Sequence, residues 1–196
     1  AAMVAEPERV HLLENPGKLG LGRAYATGFA RALSFDQYDV VVQMDADGSH
    51  AASDVDRLVA AAEDADLVIG SRYVPGGSSL GLVGARGLLS RGGNSYARLL
   101  VHTKVNDLTG GFKAWRATLL AKLIGEATGS DGYAFQIEMT VRAARAGARI
   151  VEVPITFHAR RAGSSKMDWR IAAEAAWLVP WMARHYSSRR NGARQG

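Results

Sequence analysis

The stretch "VVVQMDADGSH", residues 40–50, decides how the rest of the chain is read. It opens as an apolar, β-branched run, Val40-Val41-Val42 with Met44 behind it. That is the pattern of a strand buried on both faces of a parallel sheet. Two carboxylates, Asp45 and Asp47, then follow at the carboxyl end of the strand. In extended backbone, residues two apart point the same way, so both carboxylates face one side and Ala46 faces the other. Like charges that close raise each other's pKa unless something positive lies between them. Hard carboxylate oxygens suit Mg²⁺ or Mn²⁺, and ligands of open α/β sheets bind at the carboxyl ends of strands. An ordinary turn at Asp47-Gly48, with Asp45 as a solvated neighbour, accounts for the same residues. Taken alone, they leave both readings open.

Outward from this stretch, strand and helix patterns alternate. Residues 10–13 are a short strand candidate, and "NPGKLGLGRAYATGFARAL" turns before entering a helix near Gly22. The glycines of residues 17–22 have the wrong spacing for a Walker loop or a dinucleotide fingerprint. Ser53 heads "SDVDRLVAAAEDA" as an expected N-cap with acidic residues in the first turn. "DLVIGSRY" is the next buried strand, ending at Arg72, and residues 75–84 form a loop rich in glycine and serine. "RGLLSRGGNSYARLLV" is helical by pattern despite Gly92 and Gly93. After "NDLTGGFKAWR" come a helix from about Thr118 and a second, "GYAFQIEMTVRAARAG", closed by Gly147. "ARIVEVPITF" is a strand that Pro154 pushes to a sheet edge or a bulge. "DWRIAAEAAWLVPWMARHY" is the last expected helix, and the basic residues 187–196 read as a disordered tail. The alternation predicts an α/β fold with a largely parallel sheet.

With 196 residues the chain is long enough for one domain with a sizeable core. It contains no cysteine, so disulfides, thiolate metal sites and thiol catalysis are all excluded. The formal charge is +5, carried mostly by arginine, which favours bidentate contact with phosphates. No apolar stretch approaches the ~20 residues of a membrane-spanning helix. The first residues lack the charged-then-apolar pattern of a secretion signal, so a soluble or peripheral chain is expected. Dispersed arginines without a series of stacking aromatics argue against nucleic acid as a partner.

Seven short motifs stand in one order: "GKLGLGRA", "DADGSH", "GSRY", "SRGGN", "DLTGGFKAWR", "GYAFQIEM" and "RRAGSSK". Together they resemble the polyprenyl (dolichyl) phosphate mannose synthases, inverting enzymes of glycosyltransferase family 2 with the Rossmann-like GT-A fold. The resemblance implies transfer of mannose from GDP-mannose to a polyprenyl phosphate, with Mg²⁺ or Mn²⁺, at the cytoplasmic face of a membrane. It assigns Asp45, Ala46 and Asp47 to sugar nucleotide and metal, with Ala46 in the substrate-binding set, and puts Ser49 near the ion. Arg72, Arg160 and Lys166 match family positions that hold the donor diphosphate, and Arg86 and Arg91 lie in the region near the acceptor phosphate. Lys18 and Gln136 complete the substrate-binding set that the resemblance implies. The chemistry agrees, because a departing diphosphate develops charge that a guanidinium, an ammonium and a cation stabilise. A phosphate acceptor is largely ionised at neutral pH and needs no general base, so His50 and His158 are not expected to form one. His50 is expected to support the metal loop, and Glu138 to pack in the core or to position the sugar.

The family opens with a strand and two nucleotide-binding segments that have no counterpart before Asn15. The expectation is a GT-A domain over residues 1–186 that lacks its first strands. Two alternatives accompany the leading reading: a related transferase using UDP-glucose or another sugar nucleotide, and a non-catalytic remnant or binding module. Membrane contact is expected at the periphery, through Trp169, Trp177, Trp181 and the arginines around them or through a membrane-anchoring partner protein.

Overall fold

The computed structural model describes residues 10–14, 17, 20–81, 85–101, 103–124, 132–159 and 180, without the side chains of residues 85, 86, 89, 132 and 133. Helix α1, Leu21–Leu33, leads to strand β1, Val40–Gln43, and then to helix α2, Asp54–Ala61. Strands β2, Leu67–Ser71, and β3, Ser78–Leu80, precede the long helix α3, Ala85–Val101. Strand β4, Lys113–Arg116, runs straight into helix α4, Ala117–Ile124. Helix α5, Gly132–Arg145, and strands β5, Ile150–Pro154, and β6, Thr156–His158, follow.

Four strands form a sheet in the order β1-β4-β2-β5, and β3 pairs with β6 in a second, two-stranded sheet. Strands β1, β2 and β5 run one way, as the alternating pattern predicts, while β4 runs against both of its neighbours. The common direction puts the carboxyl ends of β1 and β2, with Asp45 and Arg72 just beyond them, at one edge of the sheet. Successive side chains of a strand point to opposite faces, and the core divides accordingly. Leu67, Ile69 and Trp115 join Phe29, Leu120 and Phe135 on one face. On the other, Val68 and Ala114 pack with Leu58, Phe112 and Ile155.

Several expectations change in the folded chain. Strand β1 is half-buried rather than buried on both faces, with Met44 39% exposed, because it ends the row of described strands. Residues 10–13 join no strand; lacking a ladder partner among the described residues, Val10, Leu12 and Leu13 stay exposed. Ser53 occupies the N-cap position of α2 but adopts helical φ and ψ, and its side chain makes no capping bond. The glycine-rich loop after Arg72 contains β3, which the parallel ladder to β6 holds extended. Gly147 closes the turn after α5 with φ +78°, as expected. Pro154 ends β5, where it has no N–H to give, and Ile155 resumes by donating to Ser71 O at 3.0 Å. Among the described residues no helix is long and apolar enough to cross a membrane. Lys18, Arg160, Lys166, Trp169, Trp177, Trp181 and the tail at 187–196 lie outside the described residues.

Candidate active site

Asp45 stands two residues past β1 and is held from several sides. Tyr25 of α1 donates its hydroxyl to Oδ1 at 2.9 Å. The buried His50 ring places Nε2 3.9 Å from Oδ2, beyond hydrogen-bond length. His50, and then the Tyr25 hydroxyl, hold the Asp45 carboxyl below its ordinary pKa against the opposing effects of burial and of Asp47. Burial, with Asp45 beside it, pushes the Tyr25 phenol up. Asp47 is exposed and folds its loop back, with Oδ1 accepting the Ser49 N–H at 3.0 Å. Gly48 has φ +76°, a conformation that a side chain resists, so the carboxylates and the buried Ser49 sit on a turn built around glycine. Ser49 Oγ and both ring nitrogens of His50 are buried without a hydrogen-bond partner among the described residues.

Arg72 leaves β2 and closes a fork on Asp107. Its Nε donates to Oδ2 at 2.8 Å and its Nη2 to Oδ1 at 2.8 Å, and Nη2 also reaches Thr109 Oγ1 at 2.8 Å. Burial opposes the Asp107 charge, but the Arg72 hydrogen bonds and charge outweigh it and hold the carboxyl below its usual range. The turn carrying Asp107 is itself anchored. Glu152 of β5 accepts the N–H groups of Asn106 and Asp107, and Asn94 of α3 accepts the Leu108 N–H. Asp107, Glu152 and Asn94 were not singled out from sequence; "DLTGG" is the signal that could have found the first.

The same turn links Arg72 to the carboxylate loop. A Cβ on Gly111 would lie 3.1 Å from Asp45 Oδ2, so any larger residue here would press on that carboxylate. Phe112 packs on His50 at 5.0 Å between ring centroids, and Phe157 of β6 touches both His50 and the Arg72 guanidinium at 5.5 Å. His158 N donates to Ser49 O at 3.0 Å. Asp45, Ser49, His50, Arg72 and Asp107 therefore belong to one cluster, beyond the carboxyl ends of β1 and β2.

Other candidates stand elsewhere. Gln136 is buried beneath β1, with Oε1 accepting from Gln43 Nε2 at 2.9 Å and from Lys113 Nζ at 3.1 Å. Lys113 is fully buried, and burial brings its pKa down to about 7 although Asp107 acts the other way. Its ammonium also donates to Gln136 O and Thr140 Oγ1, each at 2.9 Å. Glu138 packs in the core, 1% exposed and 3.8 Å from Arg142, the first of its two expected roles. Arg91 is exposed on α3 and makes none of the contacts that tie the cluster together. The Arg86 side chain lies outside the description, and Ala46 is exposed between the two carboxylates.

Among the described residues no three His, Cys, Asp or Glu side chains gather into a cage for a cation. The donor set still fits Mg²⁺ or Mn²⁺. Two carboxylates and the unpartnered Ser49 hydroxyl are hard oxygen donors on one turn, and these ions usually keep water and substrate phosphates as their remaining ligands.

This arrangement is that of a nucleotide-sugar transferase fold, and the chain belongs to glycosyl transferase family 2, whose family model matches residues 1–124. It is 47% identical over 171 residues to the undecaprenyl-phosphate mannosyltransferase of Micrococcus luteus, covering 87% of this chain and 70% of that one. To the polyprenol monophosphomannose synthase of Mycolicibacterium smegmatis it is 45% identical over 177 residues, 90% of this chain and 66% of that one. Among solved structures it resembles glucosyl-3-phosphoglycerate synthase from Mycobacterium tuberculosis in complex with Mn²⁺, uridine diphosphate and phosphoglyceric acid. That match has a TM-score of 0.59 at 20% identity, covering 87% of this chain and 55% of the other. The same synthase in complex with Mg²⁺ and uridine diphosphate matches with a TM-score of 0.56 at 20% identity, covering 87% of this chain and 56% of that one. The chain thus spans about two thirds of the length of its curated relatives and just over half that of the solved ones.

Proposed function

We propose that this chain forms the catalytic domain, over residues 1–186, of an enzyme that transfers mannose from GDP-mannose to a polyprenyl phosphate with inversion. The observation that carries the reading is one cluster in which Asp45, on the loop it shares with Asp47, is joined through His50 and Phe157 to the forked Arg72, in a chain 47% identical to an undecaprenyl-phosphate mannosyltransferase. An acceptor phosphate oxygen attacks the anomeric carbon, the bond from that carbon to the GDP oxygen breaks, and GDP departs with the electron pair. No residue need take a proton from the acceptor, because a phosphate monoester is already largely ionised at neutral pH.

Asp45, Asp47 and Ser49 would hold Mg²⁺ or Mn²⁺, which when bound neutralises charge developing on the departing diphosphate. Tyr25 and His50 keep Asp45 ionised and oriented for that task. Arg72 offers a guanidinium already immobilised by Asp107, so little ordering is left for the transition state. Arg160 and Lys166 would grip the diphosphate, and Lys18, Ala46 and Arg86 would line the substrate path. Gln136 would act on the site through Gln43 rather than by touching the sugar. Work on a lipid acceptor places the enzyme at the inner surface of a membrane, alone or with an anchoring partner.

The test joins the family's opening strand and nucleotide-binding segments ahead of Asn15, incubates that protein with labelled GDP-mannose, Mg²⁺ and a short polyprenyl phosphate, and follows label into the organic phase. Expected is a mannosyl phospholipid by mass, lost when metal is chelated. Label transferred only from UDP-glucose would assign the site to another donor.

A further inference from the structure

Strand β5, "IVEVP", carries one charged residue among apolar ones. Glutamate is a poor strand former, and the Glu152 carboxylate commits both oxygens to a segment far from it in sequence. Oε2 accepts the Asn106 N–H at 2.7 Å and the Asn106 side-chain amide at 2.9 Å, and Oε1 accepts the Asp107 N–H at 2.9 Å. Asn94 Oδ1 takes the Leu108 N–H next in line, and the segment rejoins β2 where Gly70 donates to Phe112 O at 2.9 Å. The strand that carries Arg72 is set from the same place. Strand β5 pairs with β2 in parallel register, Glu152 opposite Ile69 and Pro154 opposite Ser71, the residue before Arg72. One strand therefore fixes both partners of the fork. Arg72 N, Nε and Nη2 then donate to the Asp107 carboxylate at 3.1, 2.8 and 2.8 Å.

A carboxylate has two acceptor oxygens and can take the N–H groups of successive residues, which an amide side chain, with one, cannot match. A guanidinium aligned before the reaction contributes more than one that must be ordered during it. We propose that Glu152 is a positioning residue for the transfer reaction: by fixing the backbone of Asn106 and Asp107, it sets the place of the Asp107 carboxylate and, through it, of the Arg72 guanidinium. The role presumes the mannose transfer proposed above. Glu152 acts through two other residues, so its loss disturbs the alignment of Arg72 without removing any group that touches substrate. A residue that served stability alone would lower the melting temperature and leave turnover of the folded enzyme as it was.

Glu152→Gln keeps the shape and one acceptor, so a turn N–H is left facing an amide NH2. In the extended protein of the transfer assay, well below its melting temperature, kcat and kcat/KM should fall together by at least about tenfold with KM unchanged. Asn106→Ala removes one bond to the same carboxylate but leaves the Asp107 N–H bonded, and should lose far less. Glu152→Asp draws both oxygens back by one methylene, should lower kcat in the same way, and serves if the glutamine variant does not fold. A second measurement needs no turnover. In the full isotope-labelled chain, the Arg72 Nε–H, recognised by its absence from Arg72→Lys, should exchange with solvent at least about tenfold faster in Glu152→Gln than in wild type. Native kcat in both Glu152 variants, an equally large loss in Asn106→Ala, or an Arg72 Nε–H as protected as in wild type would each overturn the role. A wild type that transfers no mannose would refute the function alone, and the exchange measurement would still decide whether Glu152 holds Arg72.

Discussion

Arg72 and Asp107, 35 residues apart, meet through two parallel hydrogen bonds of 2.8 Å, and the aspartate side chain is fully buried. Breaking such a pair on one side leaves an uncompensated buried charge, which costs about 3–5 kcal/mol. Asp107→Ala should therefore lower the melting temperature sharply. Arg72→Lys should fold better than that variant yet lose most of kcat/KM, since an ammonium cannot reproduce the fork. Near-native turnover in Arg72→Lys would remove Arg72 from the chemistry.

Asp47→Asn should separate metal binding from folding. Asparagine keeps an oxygen to accept the Ser49 N–H, so the turn persists, but an amide binds Mg²⁺ less well than a carboxylate. Titrating Mg²⁺ against activity should show a half-saturating concentration raised by at least about tenfold, the scale on which lesser changes around metal ligands act, at an unchanged melting temperature. An unchanged metal requirement would leave Asp47 a turn residue.

Lys113 gives stability a particular dependence on pH. Its folded pKa, brought by burial to about 7, lies below the ordinary 10.5 that it regains on unfolding. Between these values the unfolded chain binds the extra proton, so this group's contribution to stability rises with pH from about 7 and levels off near 10.5. Urea unfolding at pH 7 and pH 9.5 should show wild type gaining more than Lys113→Met over that interval. Equal gains would mean that the buried ammonium is stabilised as well as it is in water.

Two glycine substitutions should act in opposite directions. Gly111→Ala brings a methyl group to 3.1 Å from Asp45 Oδ2 and should weaken metal activation by displacing that carboxylate. Gly92→Ala meets open space in mid-helix and should stabilise the fold by about 1 kcal/mol. Thermal melts and Mg²⁺ titration of both variants measure the contrast.

The helices and β2 were legible because their signals are local: apolar periodicity, a closing glycine after α5, a run of buried residues. Strand β4 was not. Its four residues include a lysine and an arginine, and what makes them a strand is the ladder to β1 and β2 on either side. The paired carboxylates marked a candidate site from sequence, yet the partner of Arg72 did not announce itself. Asp107 is one acidic residue among many until the fold brings it beneath that guanidinium, and Lys113 reads as a surface residue until Gln136 and Thr140 surround it. Ser53 shows the converse, a strong local capping signal that the packed turn overrode.

The short strand β6 ties the carboxylate loop mechanically to a part of the chain far from it in sequence. Its last residue, His158, is bonded through the backbone to Ser49, more than a hundred positions earlier, and the "RRAGSSK" segment begins two residues later. A one-residue deletion between Pro154 and His158 would break the register of β6 against β3 and pull directly on the Asp47-Gly48-Ser49 turn. Length is therefore under tighter restraint here than composition: this stretch tolerates a change of side chain more readily than the loss of a residue, because it acts as a tether cut to measure.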